Sequence, residues 1–254
     1  RTDGKTYVLA DCVFFPYTPI SPNYTMANSS GAAANRDIKT AICHATLELV
    51  ERDAFMVTYL NRLQTPHVPR RSLPRWAQKR IVTLERIGFR VIIKNLTLDL
   101  TPVILVFAQS DTLPITSCSA CSAFDPEHAL EHALDEAEAA IYCRLRNRTV
   151  QPIKPLDVRR TYHHGDLYSQ QRYYQKADFL GRGNKTMSFS KIGKSTPQTW
   201  DDLIGRLDAM NLPLIMVRLS DKMCRRDRAE LAIVKVFVPG IIPMSFGYGL
   251  EPCG

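Results

Sequence analysis

The chain has 254 residues, 45% of them apolar, and 33 Lys and Arg against 25 Asp and Glu give it a net charge of +8. It is long enough to bury one large core or two small ones. No apolar run approaches the length of a membrane span, which excludes a transmembrane helix and points to a folded soluble body.

In chain order, residues 1–5 (RTDGK) carry no secretory apolar region. Tyr7 to Phe15 is rich in strand formers and predicts a strand broken by Pro16. A proline-spaced loop leads to a small-residue turn at Ser29-Ser30-Gly31-Ala32-Ala33-Ala34. Asp37 is placed to cap a long helix running toward Leu63. Pro66 to Pro74 reads as a connector, Arg75 to Ile87 as a helix, and Gly88 as its stop. Arg90 to Leu96 and Val103 to Gln109 are strands around a turn at Asp99 to Pro102, and Thr116 to Ser122 is small and polar. Asp125 caps the next helix with Pro126 at its first position. Ala129, Leu130, Ala133, Leu134, Ala137 and Ile141 form its buried stripe. Residues 150–198 are polar and aperiodic, either a mobile insertion or an ordinary surface connection with a short helix near Tyr168 to Lys176. Trp200 to Met210 is a helix; Pro213 to Leu219 and Leu231 to Val238 are strands. The order predicts an α+β class, a mixed sheet with packed helices.

The chemistry concentrates in the first long helix. Glu48, Glu51 and Arg52 fall at i, i+3 and i+4 and share one face, among Leu47, Leu49, Val50, Ala54 and Phe55. Two carboxylates and a guanidinium in apolar company are costly unless they bind something. A divalent metal carrying a polyphosphate suits them, because it needs carboxylate oxygens and a cation for the phosphates. The bland alternative is a solvated helix face with an internal ion pair. The small-residue loop favours a ligand, since it lets one approach the backbone and helix N-terminal amides attract an anion. His44 lies one turn before Glu48, as a ligand contact or as a satisfied core histidine.

Other patterns carry less. His128-Ala129-Leu130-Glu131-His132 has a zinc-peptidase order but lacks a further ligand and context. Cys118-Ser119-Ala120-Cys121 is a single C-x-x-C, best read as tight packing. His163-His164 falls in a polar loop, and residues 181–185 (GRGNK) lack the order of a P-loop. Seven scattered cysteines, at positions 12, 43, 118, 121, 143, 224 and 253, suggest reduced thiols in a cytoplasmic protein. Basic clusters occur at Arg70 to Arg75, Arg144 to Arg148, Arg159-Arg160 and Lys222 to Arg228. No nucleic-acid motif or aromatic interleaving accompanies them, so nucleic acid is disfavoured as a partner.

Three stretches resemble one family in order and spacing. Residues 28–53 (NSSGAAANRDIKTAICHATLELVERD) resemble the small-residue loop and Glu-x-x-Glu-Arg helix of the YcaO family. Residues 125–144 (DPEHALEHALDEAEAAIYCR) resemble its next helix, and residues 234–247 (VKVFVPGIIPMSFG) resemble its closing strand and Pro-Gly turn. The resemblance implies a YcaO-like domain over residues 1–254, partial at its N-terminus because the upstream Glu-rich helix and the C-terminal tail are lacking. It implies ATP- and Mg2+-dependent phosphorylation of a peptide backbone amide oxygen, giving thiazoline or oxazoline rings. The substrate is then a ribosomally made precursor peptide, as in bacteriocin biosynthesis. A leader-peptide-binding partner protein is implied, no membrane is involved, and a homodimer is left open.

By position in the resemblance, Glu48, Glu51 and Glu136 bind magnesium. Ser29, Ser30, Gly31, Arg52 and Arg144 bind the nucleotide, with Glu138 and Arg144 standing in for an absent Gln and Arg. Thr40, Ser30, Ala139 and Ile141 depart from the family pattern. Those departures keep open a degenerate YcaO-like scaffold that binds a peptide or partner without catalysis; a thioamide-forming relative stays open because the resemblance implies that the ring-forming and sulfur-adding branches share the ATP site.

Overall fold

A computed structural model of the chain describes residues 4–15, 17, 28–146, 151–220, 231–247 and 249. In chain order the helices are α1 (Ala10–Val13), α2 (Ile38–Asn61), α3 (Arg75–Arg86), α4 (Pro126–Arg146), α5 (Thr161–Tyr168), α6 (Gln171–Tyr174) and α7 (Trp200–Ala209). The strands are β1 (Ala32–Asn35), β2 (Phe89–Asn95), β3 (Val103–Ser110), β4 (Ile115–Ser122), β5 (Ile215–Arg218) and β6 (Ala232–Phe237). The α+β class holds. The described strands form two antiparallel three-stranded sheets, β1-β6-β5 and β2-β3-β4, rather than one mixed sheet.

The long helix α2 lies between the sheets and contacts β1 and β6 on one side and β3 and β4 on the other. That position explains why its sequence is apolar over more than one stripe: Ala41, Ala45, Leu49, Val50 and Ala54 are all buried in one core cluster. Asp37 starts the helix as expected, its Oδ2 accepting from the Thr40 N–H at 2.8 Å. Such a cap contributes about 1 kcal/mol. Arg62 ends it in the left-handed conformation, φ 50°.

β3 is the central strand, and all eight of its residues are buried. Val103, Leu105 and Phe107 face the α2 side; Ile104 and Val106 face α3 and α4. α4 buries the six residues of its predicted stripe, Ala129, Leu130, Ala133, Leu134, Ala137 and Ile141, against that second face. Ser119 and Ser117 of β4 donate to the Ala133 and Ala137 carbonyls of α4 at 2.7 and 3.3 Å. Small residues in β4 thus let helix and strand approach closely.

Two local expectations are corrected, and one segment left unassigned by the sequence is a strand. Tyr7 to Phe15 contains the short helix α1 instead of a strand, because an apolar run of that length fits either period. Ala32–Asn35 is a strand, not a loop, paired with Ala232–Lys235. Thr116 to Ser122 belongs to β4, although Ser, Cys and Ala are poor strand formers. In both strands the ladder with a Val- and Ile-rich neighbour overrides weak propensity.

Residues 151–198 hold α5, α6 and three short 3-10 segments. Ala177 and Leu180 enter one core cluster, Phe189 and Ile192 the other. The Tyr174 hydroxyl donates to Asp111 at 2.9 Å, and Gln109 donates to the Tyr174 carbonyl at 3.2 Å. After β6, Pro239-Gly240 turns the chain, with Gly240 at φ 101°. Asp53 of α2 then accepts from the Ile242 N–H at 2.8 Å. No helix among the described residues is long and apolar enough to cross a membrane.

Candidate functional site

A cavity of about 760 Å³ opens between α2, α4 and the edge of β4. Glu51 and Arg52 line it from α2, and Glu136 and Arg144 from α4. Its other walls are largely apolar, with Phe55, Met56 and Tyr59 on α2 and Phe179 and Phe246 opposite. The tertiary structure therefore brings Glu136 to Glu51 and Arg52, from which it stands far apart in sequence.

Glu51 is the most perturbed carboxyl there. Burial first, then the neighbouring charges of Glu136 and Glu48, raise it from an ordinary 4.5 to about 8; Arg52 and the Ser122 N–H act against that. Glu136 is likewise raised, chiefly by burial and also by Glu48, with Arg52 and His132 opposing. Arg52 bridges the group: its Nη2 lies 3.3 Å from Glu48 Oε1 and its Nε 3.6 Å from Glu51 Oε1. That Nε is buried and has no hydrogen-bond partner.

The small-residue loop sits elsewhere than expected. It does not face the N-terminus of α2, which Asp37 caps. It lies beside the helix middle, where the Gly31 N–H donates to Glu48 Oε2 at 3.1 Å. Ser30 is buried and its N–H donates to Asn28 Oδ1 at 3.0 Å. Ser29 is exposed and closes the turn through its carbonyl to the Ala32 N–H. Glu48 thus holds the loop, while Glu51, one turn on, faces the cavity.

Other predicted residues fall outside this arrangement. Arg144 lines the cavity but is paired with Asp166 and donates to the Tyr162 carbonyl at 3.2 Å. Glu138 turns to α3, 2.8 Å from Arg80. His44 is exposed and is not a core histidine. His163 and His164 lie on α5 rather than in a loop; His164 lines the cavity, its Nε2 is buried without a partner, and burial lowers its pKa. Cys118 and Cys121 stand three apart on one strand, so they point to opposite faces and make no pair. Burial pushes the Cys121 thiol up to about 12, so it is not an activated nucleophile, whereas Cys118 is exposed.

Sequence reasoning missed Lys235. It is buried on β6, its Nζ donates to the Asn28 carbonyl at 2.7 Å, and it faces Glu48. A lone Lys between Val234 and Val236 in an apolar strand was the available signal.

Among the described residues no three His, Cys, Asp or Glu side chains are grouped to hold a metal ion by themselves. Magnesium does not require that: it is usually held by one or two carboxylates plus substrate phosphates. A carboxyl raised chiefly by burial and further by like-charged neighbours, beside a buried guanidinium nitrogen that makes no hydrogen bond, fits a cation and its phosphates.

A family model described as YcaO cyclodehydratase, ATP- and Mg2+-binding, matches residues 1–242. The chain belongs to the YcaO family. It is similar in fold to YcaO from Methanopyrus kandleri bound with AMPPCP and Mg2+, with TM-score 0.72 and 18% identity over 92% of this chain and 60% of that one. A heterocyclase in complex with substrate and cofactor gives TM-score 0.70 and 20% identity, over 92% of this chain and 31% of that one. The E. coli microcin synthetase McbBCD complex with pro-MccB17 bound gives 0.59 and 15%, over 86% and 56%. The chain thus spans from about a third to three fifths of these structures. No curated protein matches it.

In this YcaO site the state of Glu51 sets a pH dependence. With its pKa at about 8, Glu51 is mostly protonated at neutral pH in the metal-free chain. A Mg2+ ion held by Glu51 would need the carboxylate, so affinity at such a site should rise about tenfold per pH unit up to about pH 8 and then level off, with proton release below that point. The stability sign is opposite. The folded pKa lies above the ordinary 4.5, so the contribution is full below about 4.5 and lost as pH rises through about 8. Calorimetry across this range in two buffers checks the first, and thermal melts of the metal-free chain check the second.

Proposed function

We propose that this YcaO chain binds MgATP at the Glu51–Arg52–Glu136 end of the cavity and activates a backbone amide of a ribosomally made precursor peptide. The observation that supports this most is the pair of perturbed carboxyls on facing helices with Arg52 between them. A bound MgATP would supply the terminal phosphoryl group, its phosphate charge partly neutralised by the metal ion. Glu51 and Glu136 would hold it, and Arg52 would meet phosphate oxygens.

The reaction balances as follows. A Cys, Ser or Thr side chain of the peptide would attack the preceding carbonyl carbon, giving up its thiol or hydroxyl proton as the C=O π pair moves onto oxygen. That oxygen would take the terminal phosphoryl group of ATP, with ADP as leaving group. Departure of phosphate with the C–O pair, and loss of the amide N–H proton, would then form the C=N bond of a thiazoline or oxazoline ring. An amide oxygen is a poor leaving group, and phosphorylation makes it a good one. A thioamide-forming relative would use the same end of the cavity with an external sulfur nucleophile. A partner protein that binds the leader peptide belongs to the same proposal.

A second reading, a scaffold that binds peptide without catalysis, is favoured by Arg144, whose guanidinium is engaged by Asp166. Titration of ATP into the chain, with Mg2+ and with EDTA, separates the two. Saturable, metal-dependent binding supports the nucleotide site. No binding to a demonstrably folded chain leaves the scaffold.

A further inference from the structure

The cavity runs along the free edge of a strand. In the order β2-β3-β4, β4 is outermost among the described residues, and Thr116 to Ala120 line the cavity between α2 and α4.

Which backbone groups face that edge follows from Val103, which lies opposite Ser122. The Val103 N–H donates to Thr97 Oγ1 at 3.0 Å, and its carbonyl accepts from the Leu96 N–H at 2.8 Å. Both bonds point away from β4, so Val103 and Ser122 are a non-hydrogen-bonded pair. Antiparallel alternation then turns the N–H and C=O of Ala120, Cys118 and Thr116 outward with those of Ser122. The Ser122 N–H agrees, since it reaches Glu51. The Thr116 end is covered by α5, its hydroxyl donating to the Tyr168 carbonyl at 3.1 Å. Between these ends, the outward N–H and C=O of Cys118 and Ala120 have no partner among the described residues. Uncovered edge groups of this kind are what an extended chain pairs with.

We propose that Cys118 and Ala120 take an extended segment of the peptide substrate as an added strand, which carries the peptide's next residue to Ser122, Glu51 and Glu136. This rests on the peptide-modifying reading above. From Cys118 to Ser122 an added strand spans roughly 13 Å, about four residues at 3.3 Å each. Main-chain bonds supply the affinity, so the site tolerates varied sequence. Alternate side chains face Phe55, Met56 and Tyr59 on α2, and Ala140 and Cys143 on α4. The peptide is therefore expected to favour aromatic or aliphatic residues on one side and small ones on the other.

The test selects short linear peptides, each with one Cys, Ser or Thr, from a displayed library on the full chain. Amide hydrogen exchange is then followed with selected peptide, with MgATP, and with neither. Cys118→Pro removes one edge N–H without touching the ladder to β3, a substitution that edge strands tolerate. Cys118→Ala keeps the N–H, and thermal melts show whether both variants fold. Slowing of exchange at Cys118 and Ala120 by about tenfold, with affinity lost by about tenfold in Cys118→Pro only, supports the proposal. Exchange at these amides in the wild-type chain decides the matter even where Cys118→Pro fails to fold. Failure to recover peptides, or peptides that leave the two amides unprotected, overturns it. So does equal protection by MgATP alone, which assigns the edge to the nucleobase, or protection that grows with protein concentration, which assigns it to a second copy. MgATP binding without peptide protection sinks this proposal and leaves the nucleotide reading standing. Peptide protection without MgATP binding does the reverse.

Discussion

Glu51→Gln is expected to weaken MgATP binding by about a hundredfold or more, the largest functional effect of any single change in this chain. Glutamine keeps the shape and the contact with the Ser122 N–H but offers no charge to the metal ion. Glu51 stands with Glu136 across the cavity, and Arg52 lies close enough to neutralise only part of the pair. Without a cation the Glu51 carboxylate is unfavourable, first because it is buried and then because Glu136 and Glu48 stand near it, and its pKa is raised to about 8. Glu51→Gln should therefore lose metal-dependent binding and also gain stability in the metal-free chain above about pH 8. A double outcome of this kind separates a ligand site from a structural ion pair. Calorimetry and thermal melts at about pH 8.5 read both. Lost stability with retained MgATP binding would return Glu51 to a structural role.

Gly31→Ala is expected to lower stability by about 3 kcal/mol or more, a fall in Tm on the order of 10 °C for a domain of this size. Gly31 has φ 77°, a conformation that costs an L-residue about 1–2 kcal/mol. A Cβ there would stand 2.4 Å from the Val236 carbonyl oxygen and 3.1 Å from Leu49. The first neighbour is backbone of the β6 ladder and cannot rotate away. The same substitution at Gly205 in α7 meets nothing within 4 Å and should stabilise by about 0.5–1 kcal/mol. Opposite signs from one chemical change would locate the effect in the approach of loop, helix and strand. Because the Gly31 N–H holds Glu48, Gly31→Ala should also weaken MgATP binding in whatever fraction remains folded. Equal Tm values for the two variants would contradict this account.

Periodicity made much of the fold legible. The apolar stripe of α4 was read residue for residue, and Asp37 and Gly88 mark helix ends because capping and positive φ are local properties. β2, β3, β5 and β6 are rich in Val and Ile, and their alternation or burial shows in the sequence. β1 and β4 did not, being built of Ala, Ser, Cys and Thr; only pairing with β6 and β3 makes them strands.

The candidate site divides along the same line. By itself the sequence determined that Glu48, Glu51 and Arg52 share a face, since four residues of helix set that geometry. The family motifs added Glu136. Only the tertiary structure decided which of these charges meet: Glu51 and Glu136 across a cavity, Glu48 against the Gly31 loop, Arg144 withdrawn to Asp166, Glu138 turned to Arg80. It also buried Lys235 beside Glu48 and left the edge of β4 uncovered among the described residues. Charge placement within one helix is local, whereas burial and pairing between elements depend on packing that no short window of sequence contains.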